Sequence, residues 1–132
     1  MNSGSGPAGG LSYHLGVHFH VPHGIAGAVF LPHIIEHNVK RGYDYSELYD
    51  LIEDVDKSVD TKKKNAMFSQ NFFQLCNQLH VPANLRVFGV NKNNIDILLK
   101  ESEKLGGAFA QNPIPFTIDD GKNLLKKLVE KQ

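Results

Sequence analysis

The sequence has 132 residues, and its 14 Lys and Arg side chains balance 14 Asp and Glu side chains. This length suits one domain with one core, and a zero net charge gives no long-range field that would attract nucleic acid or an anionic membrane. The single cysteine, Cys76, excludes an internal disulfide and fits a reducing cytoplasm. No apolar run is long enough to cross a bilayer, and the N-terminus lacks a signal-peptide pattern. These features predict a cytoplasmic protein that binds neither nucleic acid nor membrane.

The first ten residues, 1–10, are poor in helix formers and contain a G-x-G-x-x-G pattern at Gly4, Gly6 and Gly9. A dinucleotide-binding turn with that pattern needs a strand before it and a helix after it. The sequence offers no preceding strand, and Pro7 interrupts the pattern. We therefore interpret 1–10 as a Gly-rich N-terminal segment, either a linker or part of a longer helix, and 11–132 as one helical domain.

A long apolar stretch at 24–35 mixes small and large side chains. A helix that is apolar on all faces lies in the middle of a domain, so we expect a helix from His23 to about Lys40 with 25–31 buried. Pro22 suits the first turn of this helix, and Pro32 should kink or restart it. A short helix over 11–17 should precede it.

Apolar residues at helical spacing predict four more helical segments. We expect them at 44–55, at Thr61–His80 as the longest helix, at 92–105 and from Thr117 to the C-terminus. The residues expected to face the core are Leu48, Leu51, Ile52, Val55, Phe68, Phe72, Leu75, Leu79, Ile95, Leu98, Leu99, Ser102, Ile118, Leu124, Leu125 and Leu128. The expected capping residues are Asp44 with Glu47, Asn84, Asn91, and Thr117 with Asp120. No stretch alternates with the two-residue period of a strand, so the predicted fold class is all-α.

Seven histidines occur in the chain, and five of them lie between His14 and His33. One interpretation treats them as ordinary polar residues, with His33 capping a kinked helix and His37 and His80 on the surface. Likewise, Cys76 is expected to be a small buried hydrophobic residue rather than a nucleophile.

A second interpretation is a local metal site. His18, His20 and His23 lie close together in sequence, and imidazole suits Zn, Fe, Cu and Ni. At the positive end of a helix, the imidazole of His23 would stay neutral and able to bind a metal. In this alternative the chain is a non-catalytic helical module that binds a transition metal or takes part in protein association.

One sequence pattern carries a resemblance to a known family. It consists of L-G-x-x-x-x-x-P-H-G followed by an apolar run that ends in L-P-H, here Leu15-Gly16, Pro22-His23-Gly24 and Leu31-Pro32-His33. This pattern resembles the signature of the iron-containing (group III, metal-dependent) alcohol dehydrogenases. Weaker similarities follow in the family's order at Val81-Pro82, Leu85-Arg86, Phe88-Gly89-Val90, Asn112-Pro113 and Thr117. The resemblance covers the C-terminal helical half of that family, which implies a dehydroquinate synthase-like helical domain.

The resemblance also implies a function for a complete protein: oxidation of alcohols, or reduction of aldehydes or ketones, by hydride transfer with NAD(P). A divalent metal, Fe or Zn, would polarise the substrate oxygen. His23 matches a metal-binding histidine of the helical half, and the two positions of the family's earlier H-x-x-x-H motif fall on Gly9 and Tyr13. Gly9 has no side chain to bind metal, whereas the Tyr13 hydroxyl is able to donate a proton or bind substrate. His18 and His20 would lie near the rim of the cleft.

The resemblance further implies that this chain is inactive alone, because the nucleotide-binding half is absent. The segment 108–112 matches a part of the family that borders the active-site cleft. A small alcohol or aldehyde is the expected substrate of the complete protein. We also expect a homo-oligomer, partly through the surface near Tyr13 and His23 that the other domain would cover.

Overall fold

The computed structural model describes residues 6–103 and 112–130, and for His14, His23, Ser102 and Glu103 it describes the backbone alone. Within these residues every regular element is a helix. The α-helices are α1 (Gly6–Phe19), α2 (His23–Lys40), α3 (Ser46–Tyr49), α4 (Thr61–Gln78), α5 (Ile95–Glu103) and α6 (Ile118–Val129), with 3-10 turns at Arg86–Phe88 and Lys92–Asn94. The predicted all-α fold class is confirmed. The expected stop at Gly106 and Gly107 and most of the predicted loop 108–116 lie outside the described residues.

Helix α2 supports both hydrophobic clusters of the domain. The larger cluster combines α1, α2, α5, α6 and the segment between α4 and α5; its members include Leu11, Leu15, Ala26, Val29, Phe30, Ile34, Leu85, Val90, Leu98, Leu125 and Leu128. The smaller cluster is built on Ile35, Tyr49 and Phe68, which come from α2, α3 and α4. Because α2 contacts α1 on one side and α4 on the other, it connects the two halves of the core.

Helix α1 begins at Gly6, five residues before the predicted start at residue 11. Pro7 is compatible with the first turn of a helix, where its missing N–H costs no hydrogen bond. Leu11 and Leu15 are one helical turn apart and fully buried. The free energy of burying these side chains outweighs the poor helix propensity of the glycines.

Helix α2 has the predicted bounds, and its start at His23 and end at Lys40 are confirmed. Pro32 was expected to kink the helix or to restart it. The helix does not restart, because it is continuous through Pro32. Pro22 precedes the helix as its N-cap with an extended backbone, φ −56° and ψ 137°, rather than lying in the first turn. The expected burial of the whole segment 25–31 is wrong: Ile25 is 38% and Leu31 41% exposed. These two side chains lie about 120° apart around α2, so the helix is partly uncovered on more than one side.

The predicted helix over 44–55 is wrong, since α3 ends at Tyr49 after four residues. Leu48 is 49% and Leu51 78% exposed, so neither faces the core as expected. The buried residue is instead Tyr49, whose hydroxyl donates to the carbonyl of Asp56 at 2.9 Å. This hydrogen bond holds the chain between Tyr49 and Asp56 in a series of turns. The same residues therefore cannot continue the helix.

Helix α4 ends at Gln78 and has the same length as α2, so it is not the longest helix. The amide of Val81 donates to the carbonyl of Cys76 at 2.9 Å, and His80 adopts a left-handed φ of 59°. This arrangement is the Schellman motif, which stops a helix at a left-handed residue. Leu75 and Leu79 are 48% and 65% exposed, so the predicted apolar stripe is wrong in the last turns of α4.

The predicted caps of the last two helices are confirmed. Asn91 accepts from the Asn93 amide and begins the 3-10 turn that leads into α5. The hydroxyl of Thr117 accepts from the Asp120 amide at 3.1 Å, and the Asp120 carboxylate accepts from the Thr117 amide at 2.9 Å. Ile118, expected in the core, is 37% exposed because it lies in the first turn of α6, outside the packed face.

A buried amide pair joins α2 to the segment before α6. Asn38 is 2% exposed, and its side chain exchanges hydrogen bonds with Asn112 at 3.1 Å and 2.6 Å. The Asn38 amide also donates to the Tyr45 hydroxyl at 2.8 Å. A fully paired amide of this kind fixes the relative position of three chain segments. Among the described helices, none is long and apolar enough to cross a membrane.

Candidate functional site

The junction between α1 and α2 contains the residues that the sequence assigned to a site. Pro22 ends the connection after α1, and its carbonyl accepts from the Ala26 amide at 2.9 Å to begin α2. The backbone of His23 therefore occupies the first position of α2, at the positive end of the helix dipole. The side chain of His23 lies outside the described part of the structure, so its assignment as a metal ligand stays a prediction.

Tyr13 lies on an exposed face of α1. Its side chain is 52% exposed, and Val17, one helical turn further, is 51% exposed. Gly9 precedes Tyr13 by four residues, so the two positions lie on the same face of the helix. We call the positions Gly9, Tyr13 and Val17 the α1 outer face. Half-exposed apolar side chains at successive turns are typical of a surface that contacts another domain.

His18 and His20 do not point to a shared site. The Nε2 atom of His18 lies 2.7 Å from the Oε2 atom of Glu101, which connects α1 to α5. His20 is exposed and adopts a left-handed φ of 56°, the conformation that turns the chain out of α1. The contact with Glu101 occupies Nε2 of His18 and leaves Nδ1 as the only ring nitrogen able to bind a metal in this arrangement.

The described side chains do not by themselves fit a metal ion. Among them, no three His, Cys, Asp or Glu side chains lie close enough together to hold one. Gly9, at the position that the resemblance assigned to a ligand, offers its backbone carbonyl alone, and that oxygen accepts from the Ser12 hydroxyl at 3.2 Å. A metal site here would therefore need at least one ligand beyond the described side chains, such as His23.

Two histidines have roles that the sequence did not reveal. His33 does not cap a kinked helix; it lies within α2, where its ring contacts the edge of Phe73 at 4.9 Å between centroids. Burial, followed by the positive charge of Lys127, lowers its pKa to about 4, so its imidazole is neutral at pH 7. His37, expected on the surface, is half-buried, and its Nε2 atom lies 2.8 Å from the Pro115 carbonyl oxygen.

The remaining sequence expectations concern His80 and Cys76. His80 is exposed, as predicted. Cys76 is half-buried rather than fully buried, and its Sγ atom lies 3.5 Å from the carbonyl oxygen of Ala28. Burial raises the pKa of the thiol, which disfavours the reactive thiolate.

Comparison with solved structures identifies the class of fold. The chain superimposes on a crystal structure of a 1,3-propanediol oxidoreductase with a TM-score of 0.81 and 22% identity, over 93% of this chain and 32% of that one. An alcohol dehydrogenase from Oenococcus oeni matches over the same shares with a TM-score of 0.74 and 19% identity. The fold is therefore that of a helical third of these larger proteins.

Sequence comparison identifies the family. Residues 2–129 match the C-terminal part of the Fe-containing alcohol dehydrogenase family. Alcohol dehydrogenase 4 of Saccharomyces cerevisiae is 26% identical over 129 residues, and lactaldehyde reductase of Escherichia coli is 27% identical over 123 residues. The chain belongs to the iron-containing alcohol dehydrogenase family and corresponds to its C-terminal helical domain. These two matches include 98% and 90% of this chain, but only 33% and 31% of the length of the relatives. The chain thus spans about one third of the curated relatives that it matches.

Proposed function

We propose that this chain serves as the helical, substrate-side domain of an NAD(P)-dependent, metal-dependent alcohol dehydrogenase relative. The observation that carries the proposal is the family match over 2–129. Two relatives, named an alcohol dehydrogenase and a lactaldehyde reductase, favour a small alcohol or aldehyde as the substrate. The complete protein would transfer a hydride between the alcohol carbon and the nicotinamide.

In this proposal His23 is the metal ligand that the chain contributes, and a bound metal would act as a Lewis acid on the substrate oxygen. Tyr13 would bind the substrate or supply a proton through its hydroxyl. The support is positional: Tyr13 is exposed on the α1 outer face, and His23 begins the next helix. Gly9 leaves one ligand position of the family without a side chain.

The α1 outer face would contact a nucleotide-binding domain in the complete protein. Tyr13 and Val17 expose about half of their side chains there. Without that domain, the same surface would favour association of two copies of the chain. We therefore also propose that the isolated chain forms a homo-oligomer. The alternative, a helical module that binds a transition metal through its histidines, has less support, because no three possible ligand side chains lie together among the described residues.

The chain alone is expected to form no NAD(P)H from primary alcohols above a buffer blank, because it lacks a nucleotide-binding turn. Joined to the remaining two thirds of the E. coli lactaldehyde reductase, the part that this chain does not match, the chain carrying Gly9→His should support turnover. His23→Ala should abolish that turnover, whereas His20→Ala, a matched change nearby, should preserve it. The turnover of all four proteins is measured from the steady-state absorbance of NAD(P)H. Turnover by the unmodified chain alone that disappears with His23→Ala would contradict the proposal.

A further inference from the structure

A cleft of about 220 Å³ opens between α2, α4 and the segment that follows α4. Its lining is mostly apolar and includes Ala28, Pro32, His33, Phe73, Cys76 and Val81. Tyr13, His18 and His20 do not line it, so the cleft is separate from the α1 outer face. The cleft also does not depend on the proposed dehydrogenase role.

The polar groups in this cleft are neutral. His33 is half-buried, and its ring makes no hydrogen bond to any residue that the structure describes. Its low pKa leaves the imidazole uncharged at pH 7, with one nitrogen as donor and the other as acceptor. The thiol of Cys76 is also held in its neutral form and is directed to the Ala28 carbonyl.

The size and chemistry of the cleft define a ligand class. An apolar cavity of ~150 Å³ accommodates benzene, so this cleft has room for a six-membered ring with a small substituent. Among the described residues, no charged side chain lines the cleft, so a charged ligand would lose its hydration without a direct ionic partner. A hydroxyl group, in contrast, would satisfy the imidazole of His33, because a hydroxyl both donates and accepts.

We propose that this cleft binds a small neutral molecule that has an aromatic or branched apolar body and one hydroxyl group. The apolar body packs between Pro32 and Phe73, and the hydroxyl forms a hydrogen bond with the ring of His33. Phenol is the simplest probe of this class, and toluene is the matched probe of similar shape without the hydroxyl.

The test follows backbone amide shifts of the 132-residue chain during titration with phenol and with toluene. Phenol should bind at millimolar concentrations and shift the amides of residues around His33 and Phe73. His33→Phe keeps an aromatic ring but removes the hydrogen-bonding nitrogens. It should weaken phenol binding by about fivefold or more, as expected for the loss of one neutral hydrogen bond, and leave toluene binding nearly unchanged.

A second variant tests the location of the binding site without altering a buried residue. Ala83 is exposed at the edge of the cleft, so Ala83→Leu should narrow the entrance and weaken both probes. Ala66→Leu, at an exposed alanine of α4 away from the cleft, is the control and should bind like the unmodified chain. Three results would overturn the inference: no phenol-dependent shifts in the unmodified chain, shifts centred elsewhere, or equal phenol affinity in the Ala83→Leu and Ala66→Leu chains.

Discussion

Replacing Phe30 by alanine should lower the free energy of unfolding by ~3–5 kcal/mol, the cost typical of removing a phenylalanine from a packed core. Phe30 has no solvent exposure and belongs to the larger hydrophobic cluster together with Leu11 and Leu15 of α1. The truncated side chain would leave a cavity between α1 and α2. Urea denaturation followed by circular dichroism measures the loss.

Leu31→Ala is the matched control for this change. Leu31 is the next residue of the same helix but is 41% exposed, so its truncation removes less apolar surface from the core. Its expected cost is about 1 kcal/mol or less, typical of a partly exposed position. Equal losses for Phe30→Ala and Leu31→Ala would show that α2 is not oriented as described.

Replacing Asn38 by alanine is expected to lower the free energy of unfolding by ~2–4 kcal/mol, because it removes three hydrogen bonds to the half-buried partners Tyr45 and Asn112. Asn38 is 2% exposed and connects α2 to Tyr45 and Asn112. Asn123→Ala, at an exposed position of α6, is the control and should leave stability nearly unchanged.

A double-mutant cycle separates the amide pair from simple loss of packing. The side chains of Asn38 and Asn112 hydrogen-bond to each other in both directions. The cost of Asn112→Ala should therefore be smaller in an Asn38→Ala background than in the unmodified chain. Additive costs of the two substitutions would mean that the pair does not form in solution.

Local sequence signals predicted the helices that have strong boundaries. Pro22 and the apolar run behind it placed the start of α2, and Thr117 with Asp120 placed the start of α6. In each case a residue with a specific backbone or capping role stands next to helical periodicity. The all-α fold class was predicted from the same helical periodicity and from the absence of the two-residue alternation that is typical of strands.

Residues whose role depends on a side-chain contact or a backbone conformation without a sequence pattern were not predicted. Tyr49 ends α3 because its hydroxyl reaches Asp56, which the spacing of the neighbouring leucines does not indicate. The left-handed backbone at His80 ends α4, and a histidine is only a weak sequence signal for that conformation. His33 of α2 contacts Phe73 of α4. Its burial depends on how these two helices pack, which local sequence does not indicate.

The resemblance supplied the candidate site as a set of positions, and its chemical role stays a prediction. Comparison with the family signature assigned Gly9 and Tyr13 to the two positions of one motif, and the structure places them one turn apart on α1, with Tyr13 exposed. Whether His20 and His18 join that site depends on packing. The contact between His18 and Glu101 spans 83 positions along the chain, beyond the reach of local sequence patterns.

The central claim is that the chain contributes one family metal position at His23 and lacks its partner at Gly9. Calorimetric titration with Co²⁺ or Zn²⁺ tests it most directly. The unmodified chain should show no metal binding, Gly9→His should create a weak two-histidine site, and adding His23→Ala should remove it, whereas Gly9→Ala should have no effect on metal binding. Stoichiometric binding by the unmodified chain that is lost on His18→Ala or His20→Ala would contradict the claim and favour a histidine-based metal module.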